Sequence, residues 1–238
     1  MAKPLVVITG ATHGIGKALA DTFAAEGHRL LLIARHPEPL EGVTAELATQ
    51  AAVDVADYAS LEAAIRAAEA VHGPTECLVN NAGFIKIGPL QERDAVGMSY
   101  EVDVLLKGVL YGTRAVLGGM VARKSGTIIN VSSIGDRVPG PLGEVYHASK
   151  AAVRSLSASL QKGQAEHNVR VINIAPGLVR TNIHVDMGIT FEEYCKLLGN
   201  PEFISAEELA DIILYCWKLP QRICVRDIVV MPTSSSFS

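Results

Sequence analysis

The chain has 238 residues, 49% of them hydrophobic, and its formal net charge of −4 is spread without basic or acidic runs. Length and apolar content suffice for one α/β domain with a large buried core, and the even charge excludes a nucleic-acid or anionic-membrane surface. No stretch approaches the roughly 18 consecutive apolar residues of a membrane helix.

Pro4 to Thr9 is a short, β-branched apolar run. It stops at Gly10-Ala11-Thr12-His13-Gly14-Ile15-Gly16, and Lys17 to Glu26 then has helical composition. Strand, glycine turn and helix in this order suit a dinucleotide. Glycines let the backbone approach a pyrophosphate, whose charge is met by the free N–H groups at the helix start. Ordinary turn glycines fit the same spacing taken alone. The second strand, Arg29 to Ala34, lacks the terminal Asp or Glu that would hold an adenine ribose, and Arg35 follows it directly. A guanidinium there favours a ribose phosphate, so the implied cofactor is NADP(H), with His13 as a second polar contact.

Further strands are expected at Ala51–Val55, Cys77–Asn80, Thr127–Val131, Arg170–Ala175 and Asp227–Met231. Helices are expected at Tyr58–Val71, Tyr100–Lys124, Glu144–His167 and Ser205–Lys218, the last opening with a capping box, Ser205 to Glu208. The alternation predicts a doubly wound, mainly parallel seven-stranded Rossmann-like sheet with helices on both faces, in a single domain over 1–238 that ends in a loose tail, 233–238. Cys77, Cys195, Cys216 and Cys224 are scattered, which reads as reduced, mostly buried thiols without a disulfide framework or metal site. Met1 to Pro4 leads into the first strand without a signal peptide, so the protein is expected in the cytoplasm.

Tyr146 and Lys150, four apart, fall on one face of the helix predicted at Glu144–His167. An ammonium beside a phenol favours the ionised form and lowers a pKa that is ordinarily about 10, making tyrosine usable as an acid or base. A half-buried tyrosine near a solvated lysine fits the same spacing. Ser132 and Ser133 lie 14 and 13 positions upstream.

Taken together, Thr9-Gly10-x-x-x-Gly14-Ile15-Gly16, Asp54-Val55, Asn80-Asn81-Ala82-Gly83, Ser132-Ser133, Tyr146-x-x-x-Lys150 and Pro176-Gly177-x-Val179-x-Thr181 resemble, in order and over essentially the whole chain, the single-domain branch of the short-chain dehydrogenase/reductase family. The resemblance implies hydride transfer between nicotinamide and a small or medium carbonyl or alcohol. It implies that Asp54 and Val55 contact the adenine and that Asn81, Ala82 and Gly83 pass the adenosine ribose. Pro176, Gly177, Val179 and Thr181 then flank the nicotinamide. Ser133 bonds the substrate oxygen, Tyr146 gives and takes the proton, and Lys150 also holds the nicotinamide ribose. Ser132 is expected to be a structural hydroxyl, with the role of Ser133 as its reserve reading because spacing does not rank adjacent serines.

Many relatives carry an asparagine where this chain has Leu105, in Asp103-Val104-Leu105-Leu106-Lys107-Gly108. That departure implies a weakened or rerouted proton relay, and it leaves a catalytically impaired NADP(H)-binding sensor as the alternative function. Phe84, Ile85, residues 134–142 and the lid-like segment 182–200 are expected to wall the pocket. Arg137, Arg180 and His184 are candidates to meet a substrate carboxylate. Small residues, Gly108, Gly112, Gly118 and Gly119 in one helix and Ala151, Ala152 and Ala158 in another, are expected at the interface of a homodimer or homotetramer.

Overall fold

The computed structural model describes residues 3–40, 43–44 and 46–235. Seven strands, β1 (Leu5–Thr9), β2 (Arg29–Ala34), β3 (Ala48–Ala52), β4 (Thr75–Asn80), β5 (Gly126–Val131), β6 (Val169–Pro176) and β7 (Asp227–Val230), form one sheet in the order β3-β2-β1-β4-β5-β6-β7. Each neighbouring pair is parallel. Between them run α1 (Gly14–Ala25), α2 (Tyr58–His72), α3 (Ala95–Val102), α4 (Gly108–Arg123), α5 (Glu144–Gly163), α6 (Ile183–Asp186), α7 (Phe191–Leu197) and α8 (Ala206–Lys218).

The period of two along a strand explains the two layers of helices. Val6 and Ile8 of β1 join Leu19 and Phe23 of α1 and Leu209 and Ile213 of α8 in one apolar cluster. Leu5 and Val7 turn to the other face and join Leu61 and Ile65 of α2 and Val116 and Met120 of α4. Because both faces are covered, the central strands read as continuous apolar runs. The chain winds outward from β1 to β3, then returns across the sheet to β4. That reversal opens a crevice at the carboxyl ends of β1 and β4, where a doubly wound sheet takes its ligand.

Several boundaries differ from the expected ones. The third strand lies three residues earlier than Ala51–Val55, since Leu30 to Ala34 pair with Ala48 to Ala52 and leave Asp54 and Val55 beyond the sheet. The helix α1 starts at Gly14 rather than Lys17, and α5 ends at Gly163, followed by a 3-10 turn over Ala165–His167. The helix expected from Tyr100 begins at Ala95, because the Asp94 carboxylate accepts the backbone N–H groups of Val96 and Gly97. It runs through a π-helical turn, Asp103–Lys107, into α4. By length and composition this run, Ala95–Arg123, is apolar enough to cross a membrane, but half of its most apolar window is buried against the fold. Gly108 and Gly112, expected at a helix interface, instead face Val55 and Asn80 of their own chain. In the tail, Ser235 N–H bonds the Pro232 carbonyl and the Ser234 hydroxyl bonds Glu202; residues 236–238 of the expected tail lie outside the described residues.

One buried ion pair holds α3 in place. Glu101, with no side-chain exposure, accepts from Arg93 Nη2 at 2.5 Å, and Arg93 is itself 10% exposed. Removing one member of such a pair strands the other charge, which typically costs about 3–5 kcal/mol, far more than a surface pair is worth. Arg93→Ala is therefore expected to lower unfolding free energy by about 3 kcal/mol or more in urea titrations; a loss below about 1 kcal/mol would show that Glu101 finds another partner.

Candidate active site

The turn after β1 is shaped by glycines at two points. Gly10 has φ +66°, which favours glycine, and a Cβ on Gly16 would stand 1.9 Å from the Gly10 carbonyl oxygen. α1 therefore starts hard against β1. Its first turn carries no acidic residue and no side-chain cap, leaving the amino-terminal N–H groups free for an anion. His13 instead pairs with the Thr12 hydroxyl at 2.9 Å. The half-buried Asn81 side chain bridges two turns. Its amide donates to the carbonyls of Thr9 and Gly10, at 3.0 and 3.1 Å, and fastens the turn after β4 to the turn after β1.

Arg35, exposed at the end of β2, donates to the Tyr100 hydroxyl at 3.1 Å, and that hydroxyl donates to Asp54 Oδ2 at 2.6 Å. Burial, reinforced by the Asp54 bond, raises the Tyr100 pKa and keeps its proton. Tyr100 thus orients both Arg35 and Asp54, a part not visible in the sequence. Phe84 stacks on it with centroids 5.9 Å apart. An open cavity of about 520 Å³ lies here, lined by Arg35, Phe84, Lys86, Arg93, Tyr100 and Asp186. A smaller one, about 270 Å³, sits at the opposite end of the sheet around Arg170 and Trp217, away from these groups.

The fold brings Ser133, Tyr146 and Lys150 together. Ser133 begins the 3-10 turn after β5, where its Oγ accepts the Gly135 N–H at 3.1 Å. Lys150 is 5% exposed and donates to the Val131 carbonyl at 2.7 Å, with its ammonium 5.6 Å from the Tyr146 ring centroid. The expectation that the lysine lowers the tyrosine pKa is not what the geometry gives. Burial pushes Tyr146 up to about 12, and the Ser133 hydroxyl works the other way without overcoming it. Burial also brings Lys150 down to about 8. Lys150 spends a hydrogen bond on a backbone carbonyl and lies over the ring, so desolvation dominates both groups. Ser132 is structural as expected, donating to Asp136 at 2.9 Å and to the Lys150 carbonyl at 3.3 Å.

The remaining candidates are dispersed in role. Thr181 abuts the glycine turn, since a Cβ on Gly14 would meet its Cγ2 at 3.0 Å. Gly177 bonds β7 through the Val230 carbonyl, and Val179 bridges to Ile204. Arg137 does not await a substrate carboxylate, because Asp136 and Asp227 occupy its guanidinium. Arg180 covers the Phe191 ring at 5.2 Å, and His184 stacks on Tyr194, so both belong to the aromatic packing of the lid around α7. Asp103 pairs with Lys107 at 2.6 Å on the helix surface. Leu105 is fully buried in the π turn, and its Cδ2 fills the space a Cβ on Gly83 would need; that same space lies 3.8 Å from the Lys150 ammonium.

A family model described as short chain dehydrogenase matches residues 4–189. The chain is 32% identical to the NADP-dependent 3-hydroxy acid dehydrogenase YdfG of Salmonella typhi, covering 98% of this chain and 97% of that one. It is 40% identical over 182 residues to the oxidoreductase UcpA of Escherichia coli strain K12, covering 74% of this chain and 69% of the relative. Among solved structures it is similar to the closed form of serine dehydrogenase complexed with NADP+, with a TM-score of 0.91 at 31% identity over 98% of this chain and 97% of that one.

The buried Lys150 amine sets a stability test. Its pKa is depressed in the fold, so folding penalises the ammonium fully below about pH 8, and the penalty disappears as pH rises toward the unfolded value. Lys150→Met is expected to raise the melting temperature at pH 6, with the gain shrinking between pH 8 and 10. A gain that does not vary with pH would contradict the depressed pKa.

Proposed function

The chain belongs to the short-chain dehydrogenase family, and from that premise we propose that it is an NADP(H)-dependent oxidoreductase for a small or medium carbonyl/alcohol pair, with Tyr146 as acid and base. The observation that carries this reading is the convergence of Ser133, Tyr146 and Lys150 beyond β5, beside a glycine turn able to take a pyrophosphate.

The residues present fit the cofactor. Gly10, Gly14 and Gly16 with the uncapped start of α1 accept the diphosphate, and Arg35, joined by Thr12 and His13, takes a 2′-phosphate. Asp54 and Val55 serve the adenine, Asn81, Ala82 and Gly83 the adenosine ribose, and Pro176 to Thr181 the nicotinamide. When bound, the nicotinamide nucleotide supplies or accepts the hydride.

The protein supplies orientation and the proton. Tyr146, whose pKa stands near 12, holds its proton at neutral pH and donates it to the substrate oxygen during reduction. Ser133 donates to the same oxygen as it gains negative charge. Lys150 sits over the ring, its ammonium 5.6 Å from the centroid, and would also hold the nicotinamide ribose. A small hydroxy acid is the substrate class favoured by the relatives named as 3-hydroxy acid and serine dehydrogenases. We place the protein in the cytoplasm as a single-domain homo-oligomer that pairs through the exposed positions of α5, Ala151 and Ala158 among them. The competing reading, an impaired NADP(H) sensor, draws on Leu105; the intact Ser133, Tyr146 and Lys150 cluster speaks for the enzyme.

The direct test is NADPH and NADH fluorescence titration followed by turnover on a panel of small aldehydes, ketones and keto acids. Wild type is expected to turn over and to prefer NADPH, Tyr146→Phe to keep binding while losing turnover, and Arg35→Ala to lose about tenfold in NADPH affinity with little change for NADH. Tight binding without any turnover would favour the sensor. A second expectation concerns the relay: Leu105→Asn, which sets an amide close to the Lys150 ammonium, should raise kcat several-fold, and an unchanged or lower kcat would show that the proton reaches Tyr146 without it.

A further inference from the structure

Asp136, which the sequence did not single out, lies three residues after Ser133 and is almost completely buried. Its carboxylate accepts from three residues, Ser132, Arg137 and Asn173. Oδ1 accepts from Arg137 Nε at 2.6 Å; Oδ2 accepts from Ser132 Oγ at 2.9 Å, Asn173 Nδ2 at 3.2 Å and Arg137 Nη2 at 3.2 Å. The Ser132 hydroxyl also leans toward the Lys150 carbonyl, at 3.3 Å. Outward, Arg137 grips both oxygens of Asp227 on β7, at 2.9 and 3.1 Å, and Asn173 bonds the same carboxylate. The network therefore runs from the sheet edge to the helix that bears Tyr146 and Lys150.

We propose that Asp136 is a positioning residue of the active site, whose carboxylate, anchored by Arg137, holds the Ser132 hydroxyl and thereby sets the Ser133 turn against the Lys150 stretch of α5. The turn itself closes on this anchor. The Asp136 N–H bonds the Ser133 carbonyl at 2.9 Å, so the side chain and backbone of Asp136 fix both residues of the serine pair. The Ser132 hydroxyl is thereby held between the Asp136 carboxylate and the Lys150 carbonyl, and the Gly135 N–H of the same turn holds the Ser133 Oγ. The charge is matched by the Arg137 guanidinium, so an ion pair is brought within hydrogen-bond reach of the serine pair.

The charge has its own readout. Asp136 acts to raise the pKa of both Lys150 and Tyr146. The other groups facing this region are Arg137 on the same turn, Asp227 on β7 with Arg154 of α5 at 3.7 Å from it, and His147 of α5 against Gly135. Glu101 and Tyr194 also act on Tyr146, from α3 and the lid.

This inference rests on the proposed oxidoreductase reading, and the experiment separates the two. Asp136→Asn keeps the shape and leaves Arg137 its bonds to Asp227; Asp227→Asn removes the outer carboxylate of the same network. Each is compared with wild type for kcat, KM, the pH profile of reduction, melting temperature, and hydrogen–deuterium exchange of residues 132–138. Asp136→Asn is expected to lower kcat about tenfold with KM within about threefold, to move the alkaline limb to lower pH, and to speed exchange in the turn. Asp227→Asn is expected to leave the limb in place, since its carboxylate lies on the far side of Arg137 from the serine pair. Wild-type kcat and exchange in Asp136→Asn would overturn the proposal, as would equal effects of the two variants. Should wild type itself show no turnover, the oxidoreductase reading falls, and exchange alone decides this one: unaltered protection in Asp136→Asn overturns it, faster exchange in that variant alone supports it.

Discussion

Asn81 stands where the two halves of the sheet part, at the end of the strand to which the chain returns after winding outward through β2 and β3. Its amide spans the carbonyls of Thr9 and Gly10, while the Thr9 hydroxyl accepts the N–H groups of Asn81 and Ala82 at 3.0 and 3.1 Å. Two turns that the topology would leave independent become one polar unit. Parallel strands end in unpaired backbone groups, so a crevice at their carboxyl ends is open to water unless side chains fix its edges. Here the width of the crevice is set by these four bonds, and the tight seat of Gly16 on Gly10 then fixes where the N–H groups of α1 point.

The same device, a buried amide bridging neighbours, carries the other half of the site. Asn80 donates to Asn130 at 2.8 Å, and Asn130 to Ser157 at 2.9 Å, which ties α5 to the middle of the sheet. Ser157, Val153, Ser149 and Lys150 share the buried stripe of α5, so the polar bond that docks the helix also fixes the depth at which Lys150 enters. A fully satisfied buried network specifies one arrangement, whereas apolar packing alone tolerates sliding by a turn. A lysine whose amine is held below its usual pKa is destabilising at neutral pH, and a fold retains such a group where its position matters more than its stability.

Much of this was legible in the sequence because its signals are local. Glycines at a strand-to-helix turn, an i, i+4 pair and a capping box each depend on residues a few positions apart, and the structure has the seven parallel strands and the Ser205 to Glu208 box. Two kinds of feature were not legible. Strand and helix ends move with long-range register: β3 slid because its partners lie in β2, and α3 started early because Asp94 caps it. Pairings across many residues leave no local trace, as when Arg35 meets Tyr100 across 65 positions and Arg137 meets Asp227 across 90. The Arg137 case shows the consequence, since a cation free in the linear chain turns out to be spoken for. The Tyr146 pKa is a subtler instance. Spacing places an ammonium near the phenol, but the sign of the shift belongs to burial, which spacing does not report.

That sign bears on how the site works. Burial is the largest influence on Tyr146, and Tyr194, Glu101 and Asp136 all act in the same direction, keeping the proton on the phenol. Glu101 lies four residues before Leu105, so the helix that carries a buried leucine at one position has a buried carboxylate at the other, paired with Arg93. On the proposed reading the resting site is loaded with a proton at neutral pH and ready to reduce a carbonyl without rearrangement. Oxidation asks more of it, because the phenol must first release its proton into surroundings that favour keeping it. The packing around the phenol thus sets the pH at which the proton leaves, while the equilibrium between carbonyl and alcohol stays where the cofactor and substrate put it.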